Sequence, residues 1–217
     1  MAGRNATASN AEAPQFPVGP FVPEDNCGPQ RREEVIAEVV HAPAALRTSV
    51  RGLAPTQLEA RYRNWTIRQI VHHIADSHLN AFIRFKLALT EDRPTIKPYD
   101  EGRWVTLDDS RVADIEPTLA LLEALHTRWV GVLRAMTPEQ FARTYFHPEA
   151  REEVTLAEAL SNYAWHGRHH TAQILGCAGT GWVWQIDEEG IHAYGGRHAG
   201  RWLFLVSGSG VRSACGG

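Results

Sequence analysis

Two short windows of this chain concentrate the side chains best suited to holding a metal ion. Eleven histidines occur in 217 residues. Six of them fall in IVHHIADSH, which supplies His72, His73 and His78, and in AWHGRHHTAQ, which supplies His166, His169 and His170. Residues four apart on a helix share one face, one turn above each other. His166 and His170 can therefore aim ring nitrogens at a single point, as a metal ion needs from one helix. The spacing sets this pair along the edge of a stripe formed by Leu160, Tyr163, Gly167 and Ile174, with His169 pointing further out. Surface or core histidines without any ligand also occur at this spacing, and two side chains alone would hold an ion loosely. A third ligand from a facing helix is needed, and periodicity does not select it. His78 lies near the centre of its apolar stripe and reads as a buried, hydrogen-bonded core histidine. His72 and His73 sit on opposite flanks, and on spacing alone both read as exposed to solvent. Three imidazoles plus water make an open site of the catalytic kind. An ion there acidifies its bound water or polarises a substrate group. Its ligands must be neutral, so binding weakens at low pH. One Zn²⁺ per chain suits three nitrogens best, Ni²⁺ comes next, and Fe²⁺ and Mn²⁺ remain compatible.

The histidine windows need helices to position them. Residues 1–30 hold Pro14, Pro17, Pro20, Pro23 and Pro29 and read as an irregular arm. From Arg31 to about His41, Val35, Ile36, Val39 and Val40 recur at helical spacing. Pro43 should break or kink that helix, with a short continuation to Val50. A second helix follows Thr66, a plausible N-cap, with Ile67, Ile70, Val71, Ile74, Ala81, Phe82 and Phe85 on one stripe. A long connection with two prolines and a glycine leads to a third helix, from about Pro117 to Met136. Its stripe is Leu119, Leu122, Leu125, His126, Trp129, Val130 and Leu133. Thr137 caps a short turn with Pro138 at its first position, and FHPEAREEV reads as a loop or short hairpin. The fourth helix begins after Thr155, which pairs with Glu158 in a capping-box pattern, and Gly176 should stop it. Four amphipathic helices without a convincing pair of alternating strands imply an all-α fold, an antiparallel four-helix bundle with a long connection between helices two and three. The bundle should span residues 31–177. Residues 178–217 form a Gly- and Trp-rich tail of unknown role, in which Trp202 to Val206 could make one short strand.

Hydrophobic residues make up 43% of the chain and charged residues 22%, enough for a sizeable core. Net charge is -3 with both signs interspersed, so neither nucleic acid nor a membrane surface is the expected partner. No apolar run approaches the ~20 residues of a membrane helix, and the N-terminal residues lack a secretory pattern. Cys27, Cys177 and Cys215 are scattered and odd in number, which argues against a disulfide framework and for a reducing cytoplasm.

Taken together, NWTIRQIVHHIADSHLNAFIRFKLALTEDRPTIKPY, LLEALHTRW and YAWHGRHHTAQI resemble the YfiT group of the DinB superfamily over roughly residues 15 to 175. The resemblance implies a four-helix bundle, a three-histidine metal site, a homodimer and metal-dependent hydrolysis of a small-molecule substrate. In the superfamily's motif the first ligand follows a tryptophan by eight positions, which from Trp65 is His73 rather than His72. The other two match His166 and His170, just before Gln173. Other branches use such a site to activate a small thiol, so a thiol transferase or isomerase is the second expectation, and a non-catalytic metal-binding stress protein the third. No catalytic residue stands out. Asp76 and Glu101 are carboxylates near the motif, and both read more naturally as solvated surface charges. The tail beyond about Leu175 departs from the family pattern.

Overall fold

The computed structural model describes residues 13–24 and 28–177, with the backbone of 183–187 and 190–194. Four long helices carry the fold: α1 (Pro29–Val50), α2 (Ile67–Thr90), α5 (Glu116–Ala135) and α7 (Leu156–Cys177). Between them lie the single-turn helices α3 (Glu101–Trp104), α4 (Asp108–Arg111) and α6 (Pro138–Phe141). Two small antiparallel hairpins join in, β1 (Arg61–Tyr62) with β2 (Trp65–Thr66) and β3 (Thr144–His147) with β4 (Glu152–Thr155). The 144–155 stretch is therefore a hairpin, one of the two forms the sequence allows.

Local signals start the helices where expected. Thr66 caps α2 by accepting from the Gln69 amide, while the Gln69 side chain accepts from the Thr66 amide, a full capping box. Thr137 caps α6 in the same way, and Thr155 accepts from the Glu158 amide at the start of α7. Thr66→Ala should lower stability by about 1 kcal/mol, read as a shift in the denaturant midpoint with an unchanged slope.

Two boundaries differ from the sequence reading. α7 runs through Gly176 to Cys177, and α1 continues through Pro43 without a break. Proline removes the bond that its own amide would make to the carbonyl four residues back. That carbonyl belongs to Val39, and the His126 ring Nδ1 lies 2.7 Å from it. A buried side chain thus replaces the missing helical donor. Val40, expected on the apolar stripe, is 37% exposed.

Side-chain pairs fix the direction of each helix. Arg47 meets Glu116 and Glu123, and Arg134 meets Glu33, so α1 and α5 are antiparallel. α2 and α7 are antiparallel too, with His78 beside His166 and Arg84 beside Tyr163. α2 and α5 run parallel, His72 facing Thr118, His78 facing His126 and Phe85 facing Trp129. α1 and α7 are likewise parallel, with Val35 near Leu160 and Ala42 against Gly167. The bundle has two helices each way, and α1 lies diagonal to α2. Parallel neighbours cannot be joined by a tight turn. The chain leaving α2 must travel back along a helix of 24 residues, about 36 Å. Residues 91–115 do this, which is the expected long connection.

The apolar core falls into two clusters. One is built around Val39, Phe85, Trp129 and Leu160, the other around Leu46, Ile70, Leu122 and Ile174. Between them lies a layer of buried histidines: His73, His78, His126 and His170.

The chain divides after residue 178 into two units. In the second, β5 (Val183–Asp187) pairs antiparallel with β6 (Gly190–Tyr194), a hairpin that the sequence reading left unassigned. The strand expected at Trp202 to Val206 lies outside the described residues. No described helix is long and apolar enough to cross a membrane.

Candidate metal centre

α2 and α7 face each other where their histidine windows cross. His73, near the start of α2, meets His166 and His170 on α7, and one ligand atom from each lies within 4.8 Å of the other two. The Nε2 atoms of His73 and His166 are 3.2 Å apart. Two nitrogens bound at ~2.0–2.1 Å to one tetrahedral ion would be about 3.3 Å apart, so the donor set fits a Zn²⁺-like ion. His73 is 2% exposed and His170 is buried, whereas His166 keeps partial exposure. Burial, with the neighbouring His169 ring, pushes His73 down to about 4. Burial and then the adjacent rings hold His166 and His170 well below the usual imidazole range. At neutral pH all three are uncharged, as ligands must be.

Surrounding groups orient these rings. Trp65, in the β1–β2 hairpin, lies 4.6 Å from the His73 ring and stacks over His170 at 6.4 Å. His170 Nδ1–H donates to Gln173 Oε1 at 2.8 Å, which leaves its Nε2 free to bind. The Gln173 amide donates in turn to His169 Nε2 at 2.9 Å. Hydrogen-bonded outer partners of this kind set ligand tautomer and ring orientation. By contrast, His73 Nδ1 is buried without a hydrogen-bond partner.

Several sequence expectations are corrected here. His73 is not exposed, because α7 and Trp65 cover it. Nor is His72, whose Nδ1 lies 2.7 Å from Thr118 Oγ1 on the parallel helix α5. His169 does turn away from the triad, yet it is buried, stacked on Trp165 at 4.6 Å and covered by Phe16 of the N-terminal arm. His78 is the buried, hydrogen-bonded core histidine expected, at 2.8 Å from His126.

A cavity of ≈ 480 Å³ opens beside the triad, with Ser77, Tyr99, Glu101, Tyr163 and His166 in its wall and Arg84 further down α2. The returning connection 91–115 supplies Tyr99 and Glu101, fastened by Gln69 Nε2–H to the Val105 carbonyl and Arg68 to the Ala113 carbonyl. Glu101 Oε2 comes within 3.8 Å of His73 Nε2. The Glu101 side chain keeps 61% of its surface, and its place in the cavity wall costs it part of its hydration. That loss, then the Asp100 charge, raises its pKa. Asp76 is half-buried and pushed up to about 6 by burial and Asp109, but it does not line the cavity. The reading as a solvated surface charge fails for Asp76, which is half-buried, and holds for Glu101, which stays exposed while lining the cavity. Tyr99 and Tyr163 are both raised by burial and stay protonated, as hydrogen-bond donors.

In the sequence Trp65 serves only as the motif's counting mark, and no spacing signal points to Arg84, Tyr99 or the bond from His170 to Gln173. A histidine within an apolar stripe was the available signal for His126.

The chain is similar to YfiT of Bacillus subtilis, 45% identical over 161 residues, 73% of this chain and 90% of the relative. A Bacillus mycoides protein, provisionally named a metal-dependent hydrolase, is 43% identical over 162 residues, 74% of this chain and 92% of the relative. A solved structure of YfiT, described as a probable metal-dependent hydrolase with an unusual four-helix bundle topology, matches with a TM-score of 0.73 at 43% identity. It covers 75% of this chain and 94% of that one. The DinB superfamily profile matches residues 38–174. The chain belongs to the DinB superfamily.

Proposed function

We propose that this protein is a metal-dependent hydrolase of small molecules, with one divalent ion held by His73, His166 and His170. The observation that carries the reading is three neutral imidazoles converging within 4.8 Å beside an accessible cavity. The ligand type suits Zn²⁺, and Ni²⁺ is the second choice. Such an ion supplies Lewis acidity toward water or a substrate carbonyl or phosphoryl oxygen.

The chain's own groups do the rest. Glu101 Oε2, 3.8 Å from His73 Nε2, is placed to take a proton from water entering the site. Its raised pKa brings it closer to neutrality, where a general base works best. The protonated phenols of Tyr99 and Tyr163 line the same cavity and can donate to a substrate oxygen. Trp65 shields the opposite side of the rings from solvent. Arg84 is about 16 Å from His73 along α2. Its guanidinium is part of the cavity wall and donates to the Tyr163 hydroxyl, a positive charge that suits a substrate bearing a carboxylate or phosphate at that end.

The test is a panel of esters, amides and phosphoesters, assayed on Zn²⁺-loaded protein with and without low-molecular-weight thiols. Hydrolysis without thiol is expected, and activity that strictly needs the thiol would replace this reading with a thiol transferase. Glu101→Gln should lower kcat about 10²–10⁴-fold while metal content stays at one ion per chain. Loss of metal in that variant would make Glu101 a ligand instead of a base.

A further inference from the structure

Beneath the triad, two histidines fill the polar layer without reaching the cavity. His126 is 2% exposed and His78 is fully buried. Their contacts form an unbroken line. His126 Nδ1 is 2.7 Å from the Val39 carbonyl oxygen, and His126 Nε2 is 2.8 Å from His78 Nδ1. His78 Nε2 is 3.2 Å from His166 Nδ1.

The direction of every bond in this line is determined from one end. A carbonyl oxygen only accepts, so His126 Nδ1 must carry a proton. A neutral imidazole has a single N–H, so His126 Nε2 is bare and accepts from His78 Nδ1–H. His78 Nε2 is then bare and accepts from His166 Nδ1–H. The proton of His166 is thereby held on Nδ1, and its Nε2 lone pair is left facing His73 Nε2. The anchor is available because Pro43 has no amide proton for the Val39 carbonyl. Burial favours the neutral form of both relay rings.

We propose that His126 and His78 are positioning residues for the metal centre, a relay from the Val39 carbonyl that holds His166 in its Nδ1–H tautomer with Nε2 free to bind. Gln173 does the equivalent for His170 over a single bond, so both α7 rings are set from behind, each by its own route. The relay explains why two adjoining polar rings stand in the core where aliphatic side chains would pack more simply. It rests on the reading of His166 as a ligand only for its consequence, since the tautomers exist in the metal-free protein.

The experiment is ¹⁵N-histidine NMR of the full-length, metal-free protein at neutral pH, followed by Zn²⁺ competition titration. In the wild type, His126, His78 and His166 should all show protonated Nδ1 and bare Nε2. An Nε2–H tautomer at His166 would overturn the proposal whatever the metal affinity. His126→Leu removes the acceptor for His78 and should weaken Zn²⁺ binding about 10–100-fold. His126→Gln keeps a carboxamide oxygen to accept from His78 and an amide to donate to Val39, so it should recover most of that loss. Equal Zn²⁺ affinity in wild type and a folded Leu variant would also overturn it, as would a Gln variant no better than Leu. His166→Ala checks the underlying reading separately: undiminished Zn²⁺ there would remove the ligand assignment but leave the tautomer result intact.

Discussion

The metal-free protein should unfold on mild acidification, with a midpoint between pH 5 and 6. Seven histidines have pKa values depressed with burial as the first cause: His72, His73, His78, His126, His166, His169 and His170. For His73, His126 and His169 the depressed value is about 4, against 6.5 for the free side chain. A depressed histidine stays neutral in the folded state while the unfolded chain takes up a proton. The unfolded state therefore binds more protons between 6.5 and 4, and stability falls as pH falls through that window. Above 6.5 neither state is charged and the contribution is fully present. At pH 5 each of these three costs about 2 kcal/mol by this linkage. Together these three already reach the lower end of a domain stability of ~5–15 kcal/mol, and the other four act in the same direction. Asp76, with its raised carboxyl, works in the opposite direction. Glu101, also raised, does the same, so two carboxyls stand against seven histidines. Circular dichroism across pH 7.5 to 4.5 measures the transition, and helicity and urea midpoint that stay level down to pH 5 would contradict it. Added Zn²⁺ should shift the midpoint downward, because binding to the folded state adds stability.

How much of this was legible in the sequence depended on what the signal measured. Helical stripes and caps report local periodicity, and they located α2, α5 and α7 to within about two residues. The stripe from Ile67 to Phe85 is buried throughout. Spacing also brought His166 and His170 to one face, because four residues on one helix is a local relation. The choice between His72 and His73 is set by which neighbour each flank meets, and that is tertiary. α5 covers one flank and α7 the other, so two positions that looked alike became a Thr118 contact and a metal-site candidate. Family resemblance carried this information where periodicity had none. Pro43 misled for a related reason: its local effect is to remove a hydrogen bond, and only a distant residue, His126, could restore one. The direction of the helices was likewise hidden, although the long connection 91–115 hinted that α2 and α5 were not joined as a hairpin. Glu101 is far in sequence from His73, and it reaches the site because the same connection must climb back along α2.

Replacing His73, the proposed ligand from α2, should empty the candidate metal centre. In His73→Ala, His166 and His170 remain as a pair on a single helix. Structural zinc sites with four ligands bind with ~10–16 kcal/mol, so each ligand accounts for about 3 kcal/mol. Losing one of three should weaken binding about 10²–10³-fold, and hydrolytic activity at limiting Zn²⁺ should fall at least as far. The adjacent His72→Ala is the sharpest control. Its ring is also buried and one residue away, but it faces Thr118 and not the triad. That variant should lose some stability and keep one ion per chain. Elemental analysis of protein purified without a metal-affinity tag reads both variants directly. Stoichiometric metal in His73→Ala, or its loss in a folded His72→Ala, would place the ion somewhere other than between α2 and α7. The contrast is decisive because burial, helix and residue type are shared by the two positions, and only the face they present differs.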